Sequence, residues 1–142
     1  MSVFKTNVID GLYLSQRNIL GLVITDHLNW KNIEEHKNFL INKINSYIYF
    51  IENEQYIEGP SDSEIETIIV RICFLYSPNN QGMQFLSSVS KVFEEIYNKR
   101  NIRIWLLLDF SSTRRNVANE FCMFMKTLFT KTISKKKENE YL

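Results

Sequence analysis

Ile24 to Ile51 reads ITDHLNWKNIEEHKNFLINKINSYIYFI, and its grammar decides the fold. The stretch holds both histidines of the chain and one of its two tryptophans. Leu28-Asn29-Trp30-Lys31-Asn32-Ile33 reads as a helix start. Asn29 can act as N-cap, its side-chain oxygen accepting from a first-turn N–H, with Leu28 and Ile33 at the two positions of a hydrophobic staple. Asn32, with Glu35 three residues on, is the competing cap. Glu34 and Glu35 suit the positive end of the helix dipole. Ile33, His36, Leu40, Ile44, Tyr47, Ile48 and Ile51 then share one face at helical spacing. Phe39 and Phe50 widen that face, and Asn38, Asn42, Asn45 and Glu52 mark the wet one. This is a core-facing helix.

Upstream, Val8–Leu14 and Ile19–Thr25 read as two strands joined by Ser15-Gln16-Arg17-Asn18. Downstream, Gly59-Pro60-Ser61-Asp62 is a turn cluster. Ile65–Tyr76 carries the strongest strand signal, with Ile68, Val70, Ile72, Phe74 and Tyr76 alternating against Ile69, Arg71, Cys73 and Leu75. After the loop Ser77–Gly82, the residues Phe85, Leu86, Val89, Val92, Phe93 and Ile96 describe a second amphipathic helix. Ile102–Phe110 is a nearly continuous apolar run, as a buried strand requires. The order ββαβαβ predicts an α+β two-layer sandwich, a four-stranded sheet with two helices on one face. The opposite face collects Ile19, Val23, Ile69, Cys73 and Leu75, too apolar for water, so it needs a cover.

The pattern Asp26-His27-Leu28-Asn29-Trp30, then His36, then Lys43-Ile44-Asn45-Ser46-Tyr47 (D-H-L-x-W, H, K-x-N-x-Y) resembles a family of small, mostly bacterial domains of unknown function. The similarity runs from about Asn7 to about Leu108. Where Asn29 stands the family resemblance implies an acidic residue, an equally good N-cap. The resemblance supports the domain limits and implies no activity.

A chain of 142 residues is large enough for one domain with a real core. Net charge is +1, which excludes a polybasic nucleic-acid binder. The average hides a split: residues 1–110 carry ten Lys/Arg against thirteen Asp/Glu, and residues 111–142 carry seven against three. The expected division is therefore an α+β domain over 1–110 and a basic tail over 111–142. In the tail, Val117, Phe121, Phe124, Met125, Leu128 and Phe129 recur at helical spacing, with Arg114, Arg115, Lys126 and Lys131 around them and Lys135-Lys136-Lys137 beyond. That predicts an appended amphipathic helix with a disordered end. It can pack on the chain's own sheet, dock on a partner or lie on an anionic membrane surface. Cys73 and Cys122 have no metal-type spacing and read as reduced thiols. The N-terminus lacks a signal-peptide core and no run is long enough to span a membrane, so a cytoplasmic location is expected.

For chemistry, the polar cluster to weigh is Asp26, His27 and His36 with Glu35. A strand-end Asp-His and a helical His can bring two imidazoles and a carboxylate within a metal's reach, or supply a base and its orienting acid. The plainer reading makes them hydrogen-bonding residues of the loop and helix start, because the spacing matches no metal signature such as H-E-x-x-H. Phosphate-binding glycine motifs and the aromatic-basic strands of RNA binders are both missing, so no cofactor and no specific nucleic acid are expected. What remains is a non-enzymatic interaction module, immunity- or antitoxin-like in its most specific form, binding a protein partner or a second copy as a homo-oligomer. Val23, Ile69, Arg71, Phe121, Met125 and Leu128 are the candidate contact residues. The alternative is a small metal-dependent or acid/base hydrolase built on Asp26, His27 and His36.

Overall fold

A computed structural model describes residues 2–16, 18–58, 65–100, 102–111, 129–132 and 142. Strands β1 (Val8–Gln16) and β2 (Ile19–Asp26) form an antiparallel hairpin, and helix α1 (Ile33–Glu52) follows. Strand β3 (Thr67–Phe74) lies parallel to β2, helix α2 (Asn80–Arg100) crosses over, and β4 (Arg103–Asp109) lies parallel to β3. These elements realise the expected α+β order. A short strand β5 (Phe129–Thr132) then pairs antiparallel with β1, giving the sheet order β4-β3-β2-β1-β5.

The two β–α–β crossovers step in the same direction across the sheet. Right-handed crossovers of that kind put both helices on one face. Burial agrees: Leu20, Leu22, Ile24, Ile68, Val70, Ile72, Phe74 and Ile104 alternate into a core shared with Leu40, Ile44, Ile48 and Ile51 of α1 and Leu86, Val89, Phe93 and Ile96 of α2.

The N-cap of α1 is Asn32, whose side-chain oxygen accepts the Glu35 N–H at 3.3 Å while its amide donates to Glu35 Oε2 at 3.1 Å. This is a reciprocal capping pair. Asn29 instead closes a local turn, accepting the Lys31 N–H at 3.1 Å. At the other end Gln55 N–H donates to Phe50 O and Glu54 N–H to Ile51 O, with Glu54 at φ 53°. Glu54 thus holds the left-handed position that usually goes to glycine in this helix stop.

The helical reading of 117–128 and the lysine-rich end fall outside the described residues. Phe129, read there as part of a helical stripe, lies in β5. Phe-Thr-Lys-Thr carries two β-branched threonines, which suits an extended edge segment better than a helix.

Candidate functional site

Asp26 ends β2 and His36 stands in the first turn of α1, so the strand-to-helix corner brings them together. His36 Nε2 lies 2.6 Å from Asp26 Oδ2, and both side chains are sealed from solvent. The other ring nitrogen, Nδ1, faces the Asn29 carbonyl at 3.2 Å. Both ring nitrogens are thus engaged by oxygen atoms of the protein interior. Asp26 Oδ1 also accepts the Leu28 N–H at 3.1 Å. Trp30 covers the pair, its ring stacked on His36 at 3.7 Å between centroids and its Nε1–H donating to Tyr76 O. The far side of the indole rests on Gly82, where a Cβ would come within 2.7 Å of it.

His27 does not join them. Its ring meets the edge of Phe4 at 4.9 Å, and Phe4 in turn packs on Phe39. A cleft of about 180 Å³ bordered by Phe4, Leu28, Lys31, Glu35 and Phe39 reaches the flank of His36. Neither ring nitrogen turns toward it, since both are bonded inward. Among the described residues no three His, Cys, Asp or Glu side chains gather to hold a metal ion.

A second buried polar cluster is built on Asp10 with Lys43 and Tyr47, the two ends of the K-x-N-x-Y pattern, none of which was a candidate site residue from the sequence. Asp10 of β1 and Lys43 of α1 form an ion pair of 2.7 Å with both side chains fully buried. The lysine spends its other donors on the carbonyls of Val8, at 2.9 Å, and Lys5. Asp10 accepts in addition from Ser2 N–H and from the backbone and hydroxyl of Thr25. Tyr47, one turn along from Lys43, places its hydroxyl between β1 and β2, accepting from Asp10 N–H at 2.8 Å and donating to Val23 O. Burial pulls the Lys43 ammonium below its ordinary value, and the Asp10 carboxylate opposes that pull. Burial likewise pushes the Tyr47 phenol well above its usual range, with the Asp10 charge adding to it. Every donor of Lys43 is used, so the network locks the N-terminal segment, β1, β2 and α1 to each other. The available signal was the spacing: Lys43 is at i−4 from the core residue Tyr47 and i+3 from Leu40.

On the face away from the helices, Val23 and Cys73 are buried while Ile69 and Arg71 are half-buried. Of the candidate contact residues Val23 is thus covered, and Phe121, Met125 and Leu128 lie outside the described residues. Tyr13 lies across Gly21, and Arg71 sits over the Tyr13 ring at 5.4 Å. The Arg71 guanidinium also approaches Asp109 at 3.9 Å. Among the described residues this face is open and apolar at β4, where Trp105 is 53% exposed and Leu107 40%.

The model of DUF6572, a family of unknown function, matches residues 1–109. The chain belongs to that family. No curated protein and no solved structure matches it. The DUF6572 match takes in both buried pairs and ends with β4, so β5 lies beyond it. Among the described residues no helix is long and apolar enough to cross a membrane.

Within the DUF6572 span, Cys73 is a thiol unsuited to nucleophilic work. Burial, then the nearby Asp109 carboxylate, push it up from 9.0 to about 12. A thiolate is needed for attack, so Cys73 should resist alkylation at pH 8 in the folded protein. In a Cys122→Ser background, iodoacetamide should label Cys73 only as fast as the protein unfolds. Labelling at the rate of a free thiol would show the site to be open. The same shift predicts a pH dependence. Between about 9 and 12 the unfolded chain gives up the thiol proton while the folded one keeps it, so stability falls as pH rises through that window. Cys73→Ala should flatten that part of the decline.

Proposed function

We propose that this domain is a non-enzymatic protein-interaction module that works in the cytoplasm through the exposed apolar edge at β4. The observation that carries the reading is the contrast between its chemistry-bearing groups and its open surface. The Asp26–His36 pair offers no ring nitrogen to a substrate, and Cys73 is held as a thiol. General acid–base catalysis needs a group within hydrogen-bond reach of the substrate. Trp105 and Leu107, by contrast, stand in solvent side by side on an edge strand. Large exposed aromatic and aliphatic side chains on a rigid element are the usual anchors of an interface.

The test is affinity capture with the full chain from its native host, run in parallel with Trp105→Lys/Leu107→Lys. Both side chains are exposed, so the double variant should keep its urea midpoint. Loss of the captured proteins from the variant supports the reading. An unchanged set would show that the β4 ridge is not the contact.

A further inference from the structure

We infer that the occupant of the β4 edge is a second copy of this chain, paired antiparallel through β4 about a twofold axis at Leu106. The inference rests on the interaction reading above and names its partner.

The backbone fixes which groups face outward. Arg103 N–H donates to Glu66 O, so the odd residues of β4 turn their backbone groups toward β3. Parallel strands alternate, so Ile104, Leu106 and Leu108 present N–H and C=O on the open side. Among the described residues no strand pairs there. Edge strands are ordinarily blunted by lysine, proline or a bulge. The central part of β4, Ile104–Leu108, reads Ile-Trp-Leu-Leu-Leu and has none of these.

The strand is also complementary to itself. Written Arg103-Ile-Trp-Leu-Leu-Leu-Asp109, it carries opposite charges at its two ends. Antiparallel pairing centred on Leu106 sets Arg103 against Asp109 of the second copy, and Trp105 against its Leu107. It sets Ile104 against Leu108, and Leu106 against Leu106. The residues facing each other as 104–108 and 106–106 are those whose backbone groups point outward, so each facing pair can exchange two hydrogen bonds. Parity and charge therefore select the same register. On the exposed face, the Trp105 and Leu107 pairs of the two copies would cover each other. On the helix side, a cleft of about 360 Å³ between α2 and β4, bordered by Phe93, Ile104 and Leu106, lies where Leu108 of the second copy would arrive. Hydrogen-bond parity and ladder register thus agree on the same pairing. Asp109 suits its part, because Ser111 and the Arg71 guanidinium outweigh the upward push of burial and hold its carboxyl below the usual carboxylate value.

A seam of seven residues per copy is at the small end of specific interfaces, so a dissociation constant in roughly the micromolar range is expected. Sedimentation of the full chain over a concentration series up to about 0.2 mM should then show a reversible dimer. Arg103→Glu places two carboxylates opposite each other at both ends of the seam, and Asp109→Arg places two guanidiniums there. Each variant alone should weaken association roughly tenfold or more. Mixed in equal amounts they should dimerise again, because each then meets the opposite charge. Amide exchange in the wild type gives a readout free of any substitution: the Leu106 and Leu108 N–H groups should slow as concentration rises. A chain monomeric throughout, or a dimer that Arg103→Glu leaves intact, overturns the self-pairing. If the chain is monomeric but capture of another protein still depends on Trp105 and Leu107, the second copy is excluded while the interaction reading stands.

Discussion

Replacing Lys43 by methionine should cost roughly 3–5 kcal/mol of folding stability, the range for breaking a buried ion pair from one side. The substitution keeps most of the side chain's bulk, so the loss is electrostatic and polar in origin. It leaves the Asp10 carboxylate sealed in the interior without its counter-charge. It also strips a donor from the carbonyls of Lys5 and Val8. Asp10→Leu should be comparably damaging, because the ammonium then loses the carboxylate that opposes its desolvation. Lys43→Met combined with Asp10→Leu should be less destabilised than the sum of the singles, since neither charge remains to be stranded. Urea melts of the four proteins measure this cycle. Singles within a few tenths of a kcal/mol of wild type would mean that water reaches the pair.

Trp30→Ala should cost about 3–5 kcal/mol, the scale for truncating a large buried aromatic side chain. Trp30 is buried between the His36 ring and Gly82, and its N–H holds the Tyr76 carbonyl. Removing it leaves a cavity and opens the Asp26–His36 pair to water. Trp30→Phe keeps a ring in the stack and forfeits the N–H bond, so it should cost closer to 1 kcal/mol. Equal losses for the two variants would show that stacking contributes little and the hydrogen bond most.

Periodicity made the body of the fold legible. Two strands, the long helix, the alternating third strand, the second helix and the apolar fourth strand stand where apolar spacing puts them. Bringing Asp26 and His36 together needed only a strand end followed by a first helical turn, which their spacing shows. The fate of His27 did not follow from spacing, because an adjacent residue on an extended chain points the other way and finds Phe4. Lys43 was invisible for a different reason. A lysine in a helix reads as solvent-facing, and only the arrival of Asp10 from a strand more than thirty residues earlier makes its burial tolerable. The cap at Asn32 rather than Asn29 is a shift of three residues between two equally suitable side chains, decided by which of them meets Glu35. β5 was missed because Phe129 continues the apolar spacing before it.

The pairing of β1 with β5 has a consequence for how the protein comes to be made. β1 is made well before β5, and Ile9 meets Lys131 only after roughly 120 further residues. At about 5–20 residues per second that interval is on the order of ten seconds. Throughout it the outer backbone of β1 has no mate, although the hairpin with β2 can already have closed. Nascent chains crowded on one messenger would therefore display the same bare strand at the same time. The segment left uncovered in that interval is Val8 to Leu12, the part of β1 that β5 later pairs.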